Sequence, residues 1–316
     1  MDLVYFGSGA FGLPTLERLA SRHRVRAIVT QPDRPAGRGG RLTPTPVGAW
    51  AAAHVHDVPL IKPERVNEPS VCAQLRAVEA EAWVVIAFGQ KLGRVLLDGR
   101  FAINLHASLL PRWRGAAPIN AAILAGDAET GNSVITLAER MDAGTILAQS
   151  RRRLDPAMTA GQLHDLLAGD GPDLVESVLC AHAAGTLSPY AQDETLVTLA
   201  PKLTKADGWV DFAQPAQACR RRIHGLTPWP GVTVTLGGRT LRLLRVEPDA
   251  VNPQQSAVGT VVDPDRGIVA CGGGTALRLL AVQPAGGRAM PWADFARGHR
   301  VGRGAMLTSG PGVSTC

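Results

Sequence analysis

The sequence predicts an α/β protein, with a doubly wound, mostly parallel sheet in the first half and a small β-barrel in the second. Three observations carry that prediction. Short apolar or β-branched runs alternate with amphipathic stretches through the first 140 residues, the pattern of a parallel sheet with crossover helices. Gly7, Gly9 and Gly12 fall in the spacing G-x-G-x-x-G directly after the first run, where a tight strand-to-helix turn belongs. Beyond residue 230, short strand-like runs crowd between glycine turns, as in small barrels.

The elements follow in order. "LVYF" (3–6), "VRAIVT" (25–30), "WVVIAF" (83–88), "FAIN" (101–104) and "SVITL" (133–137) read as strands. "LPTLERLAS" (13–21), "PVGAWAAAHV" (46–55) and "PINAAILAG" (118–126) read as helices between them. Thr45 before Pro46 is an N-cap followed by proline at the first helical position, and Gly126 is a C-terminal stop. Residues 164–185 read as a further helix, and 186–205 lack periodicity and read as a linker. "PAQACRRRIHGL" (215–226) reads as a helix ahead of the barrel strands "GVTVTL" (231–236), "LRLLRV" (241–246), "GTVVD" (259–263), "GIVACG" (267–272) and "ALRLLAV" (276–282). Gly237-Gly238 makes a hairpin turn between the first two.

Composition narrows the class. No apolar run approaches the length of a membrane span. The first strand-like run starts at Leu3, which is expected of a chain without a signal peptide. The five cysteines are scattered with no C-x-x-C pair, so reduced thiols, a cytoplasmic location and no metal knuckle are expected. Net charge is +6, and only Lys62, Lys91, Lys202 and Lys205 among the 33 basic residues are lysines. The arginine fork suits phosphate; a polyanionic partner and a compositional bias both fit this excess.

The glycine fingerprint is incomplete as a nicotinamide site. Such a site needs an acid at the end of the second strand to hold the ribose. Thr30 and Gln31 stand there, and Asp33 lies beyond, between prolines. The glycines therefore read as a tight turn with close helix–sheet packing, and an NAD-dependent oxidoreductase is kept as the alternative. The loop that follows, "QPDRPAGRGGRLTPTP" (31–46), carries Arg34, Arg38 and Arg41 on a backbone whose prolines and glycines are expected to prevent helix or sheet. A strand-to-helix connection of that length is commonly functional or disordered; here it suits either an anionic partner or a solvated loop.

The chemistry concentrates in "INLHASLLPRWRGAAPI" (103–119). Asn104 and His106 are two apart, so an extended backbone points both to one side. They end a strand, where open α/β sheets place their ligands. A later strand leads into "AERMDAG", which delivers Asp142 at a turn. An amide, an imidazole and a carboxylate without an adjacent serine or cysteine nucleophile suit acyl transfer to an external nucleophile. The amide can stabilise an oxyanion, and the other two can move protons. Taken singly, each also fits a structural role: a surface histidine, a turn-forming aspartate, an asparagine satisfying backbone.

These residues resemble the folate-dependent formyltransferases, which share Asn-x-His, a Ser-Leu-Leu-Pro loop and a downstream aspartate. The resemblance runs collinearly through "TQPDRPAGRG" (30–39), "GDAETGNSVITL" (126–137), "APKLTKADGWVDF" (200–212), "GLTPWPG" (225–231) and "LLAVQPAGGRAM" (279–290). It implies a Rossmann-like catalytic domain (1–187), a linker (188–206), an OB-like tRNA-binding domain (207–308) and a tail (309–316). It implies formyl transfer from 10-formyltetrahydrofolate to the α-amino group of methionine on initiator methionyl-tRNA by a monomer without metal. By motif, Asn104, His106 and Asp142 become the catalytic trio. Ser108, Leu109, Leu110 and Pro111 border the folate, with Ile86, Ala87, Phe88 and Gly89 lining its pterin pocket. Arg34, Arg38 and Arg41 approach the tRNA, and Arg220, Arg221 and Arg222 are expected at phosphates. An amino sugar nucleotide or glycinamide ribonucleotide is the alternative acceptor.

Overall fold

The computed structural model describes residues 1–37, 39–253 and 255–310. They form two compact units, one of Met1–Gly115, Thr130–Arg152 and His164–Leu199, the other of Ala116–Glu129, Arg153–Leu163 and the chain from Ala200 onward.

The first unit is built on a seven-stranded sheet. Its strands are β1 (Asp2–Gly7), β2 (Arg24–Val29), β3 (Leu60–Ile61), β4 (Ala82–Ile86), β5 (Ala102–His106), β6 (Glu129–Thr136) and β7 (Ile146–Arg153), in the order β7-β6-β5-β4-β1-β2-β3. β1 runs parallel to β2 and β4, β2 to β3, and β4 to β5. β6 is antiparallel to β5 and sets Ser133 opposite His106. Leu3, Val4, Tyr5 and Phe6 are all buried, as a strand covered on both faces requires. Phe6 packs on Trp83 and edge-on to Phe88.

The glycine turn after β1 serves this packing. A Cβ on Gly12 would lie 2.1 Å from the Tyr5 hydroxyl, and one on Gly7 would lie 2.9 Å from the Ile86 carbonyl. The Tyr5 hydroxyl donates to the Gly12 carbonyl at 2.9 Å, and burial pushes its pKa far up. The following helix Leu13–Arg22 starts at once. Thr45 caps the helix Pro46–His54 by accepting from the Gly48 N–H at 2.9 Å, with Pro46 at the first position. Gly126 ends the helix Pro118–Ala125 with φ 74°.

The stretch 31–46 departs from its expected irregular path. Arg34–Ala36 pairs antiparallel with Arg41–Thr43, with Pro35 opposite Leu42. A lone two-stranded ribbon tolerates proline because each strand has an unpaired edge. Gly37 and Gly40, at φ 68° and 62°, supply the left-handed turn. Lys62 to Asp33 and Arg34 to Glu64 tie the ribbon's base.

The second unit is a curled antiparallel sheet. Its strands are β8 (Val232–Leu236), β9 (Arg239–Asp249), β10 (Val261–Asp263), β11 (Ile268–Cys271), β12 (Thr275–Pro284) and β13 (Leu307–Thr308), ordered β10-β11-β12-β9-β8-β13. Gly237 and Gly238 both have positive φ and turn β8 into β9. Register shifts near Arg245 interrupt the β9–β12 ladder, the irregularity by which long strands bend. The helix Ala216–Gly225 sets Cys219 and Ile223 into the core under the sheet. Of its three consecutive arginines, Arg222 turns inward: it donates to the carbonyls of Trp209 and Asp207 and stacks 4.5 Å over the Trp209 ring. Arg222 is therefore committed to holding this unit, a correction to its expected place at a phosphate.

On the same helix, buried His224 accepts at Nε2 from the Val246 N–H at 3.1 Å. Burial, then Arg245 and Arg220, pull its pKa down to about 4 from 6.5. The unfolded chain therefore binds the proton first as pH falls. Stability from this residue is full above pH 6.5 and is lost towards pH 4 by about 3 kcal/mol. His224→Gln, which keeps an acceptor for Val246, is expected to flatten that part of the pH dependence of urea unfolding. Equal slopes for the two proteins would contradict this.

Candidate active site

The carboxyl end of β5 presents Asn104 and His106 on one face, with Leu105 buried on the other. The chain then turns back on itself. The Ser108 N–H donates to the His106 carbonyl at 3.0 Å, and the Ser108 hydroxyl donates to the Arg112 carbonyl at 2.7 Å. Trp113, at φ 64°, occupies the left-handed region. Its carbonyl accepts from His106 Nε2 at 2.9 Å. A carbonyl only accepts, so Nε2 carries a proton and Nδ1 is the nitrogen turned to Asp142. Nδ1 lies 3.6 Å from Asp142 Oδ2, with the two side chains 7% and 14% exposed. Gly115, two residues past Trp113, donates its N–H to the same Oδ2 at 2.9 Å. One return loop thus grips both the imidazole and the carboxylate. The Asn104 side-chain amide makes no hydrogen bond among the described residues and is half-buried.

Asp142 is itself in the left-handed region, at φ 53°. Aspartate tolerates this region better than most non-glycine residues, at a cost on the order of 1 kcal/mol, and the turn is held from outside as well. Gln192 does so, donating from Nε2 to the carbonyls of Asp142 (2.7 Å) and Gly144 (2.8 Å). Arg114, almost buried, donates to Gln192 Oε1 and to Glu194. Arg114, then Arg140, holds the Glu194 carboxyl below its ordinary range.

The return loop has its own fastening. The Ser133 hydroxyl donates to the Ser108 carbonyl at 2.6 Å and accepts from the Leu110 N–H and from Gln149 Nε2. Gln149 also donates to the Leu110 carbonyl, and Thr198 accepts from the Trp113 N–H. Ser133, Gln149, Gln192 and Thr198 were not signalled by the sequence. Each is a single polar residue remote from its target, with no local spacing to mark it.

The residues expected at the folate divide. Leu109 and Pro111 are half-buried on the return loop, whereas Ser108 and Leu110 are buried within it. Leu110 packs with Ile135 and Ile146. The side chains of Ile86 and Phe88 belong to the core, so at 86–89 only Ala87, Gly89 and the backbone face outward. At the ribbon, Arg34 is engaged by Glu64, Arg41 is exposed, and Arg38 lies outside the described residues.

The glycine turn does not present a phosphate cradle. The Ser8 and Gly9 N–H groups, those a pyrophosphate would need, donate to the Ala87 carbonyl at 3.2 and 3.3 Å. Gln31, where the ribose acid would stand, donates to the Phe88 carbonyl. The oxidoreductase alternative loses its physical basis.

Removing the Ser133 hydroxyl leaves a buried N–H and a buried carbonyl without partners. Ser133→Ala is expected to lower unfolding free energy by about 1–3 kcal/mol, measured by urea denaturation; an unchanged midpoint would contradict the fastening described.

Residues 2–179 match the family described as formyl transferase, and residues 202–300 match its C-terminal domain. The methionyl-tRNA formyltransferase of Geobacter metallireducens is 39% identical over 312 residues, covering 97% of this chain and 98% of that one. The methionyl-tRNA formyltransferase of Anaeromyxobacter dehalogenans is 42% identical over 306 residues, covering 95% and 97%. Among solved structures, WlaRD, a sugar 3N-formyl transferase in the presence of dTDP and 5-N-formyl-THF, superposes with TM-score 0.68 at 11% identity, covering 88% of this chain and 97% of that one. At that identity the likeness establishes the fold.

Proposed function

The chain belongs to the formyl transferase family, and from that membership we propose that it transfers the formyl group of 10-formyltetrahydrofolate to the α-amino nitrogen of methionine on initiator tRNA. The observation that carries the chemistry is the clamp by which Trp113 and Gly115 set His106 Nδ1 3.6 Å from the Asp142 carboxylate. We assign residues 1–187 to catalysis, 188–206 to the linker, 207–308 to tRNA binding and 309–316 to a tail, of which 311–316 lie outside the described residues. The reading is of a cytoplasmic, metal-independent monomer; no described helix is long and apolar enough to cross a membrane.

In this mechanism the free amine attacks the formyl carbon, and the carbonyl π electrons move onto oxygen. The oxyanion accepts hydrogen bonds from the Asn104 amide and from the Nδ1–H of His106 in its doubly protonated form, Nε2–H staying on the Trp113 carbonyl. One such donor contributes about 3–4 kcal/mol. Asp142, directly or through a water, takes the proton from the new ammonium. As the oxyanion's electrons re-form the carbonyl, the C–N10 bond breaks, N10 takes the proton from His106 Nδ1 and leaves as the amine of tetrahydrofolate, and Asp142, 3.6 Å away, returns the proton it took to Nδ1. Proton transfers of this kind contribute roughly 10²–10⁴-fold. Leu109, Pro111 and the outward face of 86–89 border the folate in this reading.

Incubation with 10-formyltetrahydrofolate and methionyl-tRNA is expected to add one formyl group to the released aminoacyl fragment, read by mass. Formylation of glycinamide ribonucleotide or an amino sugar nucleotide in place of the tRNA would replace the acceptor. His106→Ala is expected to cut kcat by about 100-fold or more with near-normal folding, and a near-wild-type rate would remove the assignment.

Arg41 is the described ribbon arginine whose side chain makes no hydrogen bond or ion pair among the described residues, and we propose that it meets tRNA phosphate, with Arg38 three residues before it in sequence. Arg41→Ala is expected to reduce the slope of log K against log salt for tRNA binding by roughly 0.7–0.9. An unchanged slope would take Arg41 out of the contact.

A further inference from the structure

We infer that Gln192 is a positioning residue that holds Asp142 in its working conformation. The inference rests on the assignment of Asp142 above. Gln192 lies in a stretch without periodicity, fifty residues beyond its target. Its amide is fully used. The two Nε2 hydrogens go to the carbonyls of Asp142 and Gly144, and Oε1 accepts from Nε (3.0 Å) and Nη2 (2.8 Å) of Arg114. Arginine only donates and a carbonyl only accepts, so the amide has one possible orientation.

That saturation has a mechanical consequence. The two carbonyls are those of Asp142, at φ 53°, and of Gly144 just past it, so holding them fixes the path of the turn that carries the carboxylate. The amide is anchored by the almost buried guanidinium of Arg114. Arg114 lies directly between Trp113, whose carbonyl fixes His106, and Gly115, whose N–H fixes the Asp142 carboxylate. Gln192 therefore joins the backbone of one proton-transfer group to the loop that orients the other. Neither its amide nor Arg114 needs to touch substrate for this. The Thr198 contacts, the side chain to the Trp113 N–H and the carbonyl to the Arg114 N–H, brace the same loop from the same stretch of chain.

The test is a double-mutant cycle on the full chain with both substrates. Gln192→Glu keeps the size and an acceptor for Arg114 but turns an acceptor towards two carbonyls. It is expected to lower kcat by roughly 10- to 100-fold while leaving KM for folate and for tRNA within about twofold. In an Asp142→Asn background, measured in single turnover, the same change is expected to have no further effect, because residues acting as one unit are not additive. Full additivity, or an unchanged kcat in the parent enzyme, would overturn the inference. Gln192→Met, of similar length and without charge, gives the same readouts should Gln192→Glu fold poorly. If Asp142→Asn alone retains the parent rate, the underlying assignment fails; if only the Gln192 changes are silent, the assignment stands and the positioning role falls.

Discussion

The site depends on one return of the chain. After β5 ends, the backbone doubles back within ten residues, and that reversal lets the Trp113 carbonyl reach the ring of His106 while Gly115 reaches Asp142. Neither contact could be made by a chain that continued in the direction of the strand. The reversal places Trp113 in left-handed backbone, and it buries polar groups that must be satisfied. Ser133, Gln149 and Thr198 meet that demand from two strands and a distant segment. The imidazole's orientation is thus a product of packing around the loop as much as of the histidine itself.

A second close approach shapes the neighbouring strand ends. The glycine turn after β1 docks on the residues that follow β4, with Ser8 and Gly9 donating to Ala87 and the Ser8 hydroxyl to Phe88. Glycine is required where Tyr5 and Ile86 leave no room for a Cβ. The same three-glycine spacing that elsewhere cradles a pyrophosphate here joins two loops to each other. Both loops stand at the carboxyl ends of parallel strands, the edge at which such sheets bind ligands.

Much of this was readable in the residues. Apolar runs gave the parallel strands, Thr45-Pro46 and Gly126 gave helix ends, and Gly237-Gly238 gave the hairpin, because each rests on local sterics or capping. Asn104 and His106 were legible from a spacing of two on a strand, and Asp142 from its turn. The ribbon at 34–43 was not legible: its prolines and glycines argued against pairing, yet a ribbon with two open edges accommodates Pro35 and uses Gly37 and Gly40 as the turn. Ile86 and Phe88 looked like pocket residues on a strand end, but Ile86 closes a strand buried on both faces, and Phe88, past the left-handed Ala87, packs edge-on to Phe6 in the core. The supports at Ser133, Gln149 and Gln192 were invisible because their partners lie 16 to 78 residues away. No local period encodes such a pairing.

The central claim is that the return loop fixes which face of His106 does the chemistry. ¹⁵N resonances of histidine-labelled protein, at a pH where the ring is neutral, test it most directly. The account predicts that His106 carries its proton on Nε2, bonded to the Trp113 carbonyl, with Nδ1 bare towards Asp142. A neutral ring protonated on Nδ1, or a rapidly exchanging mixture of the two tautomers, would contradict it.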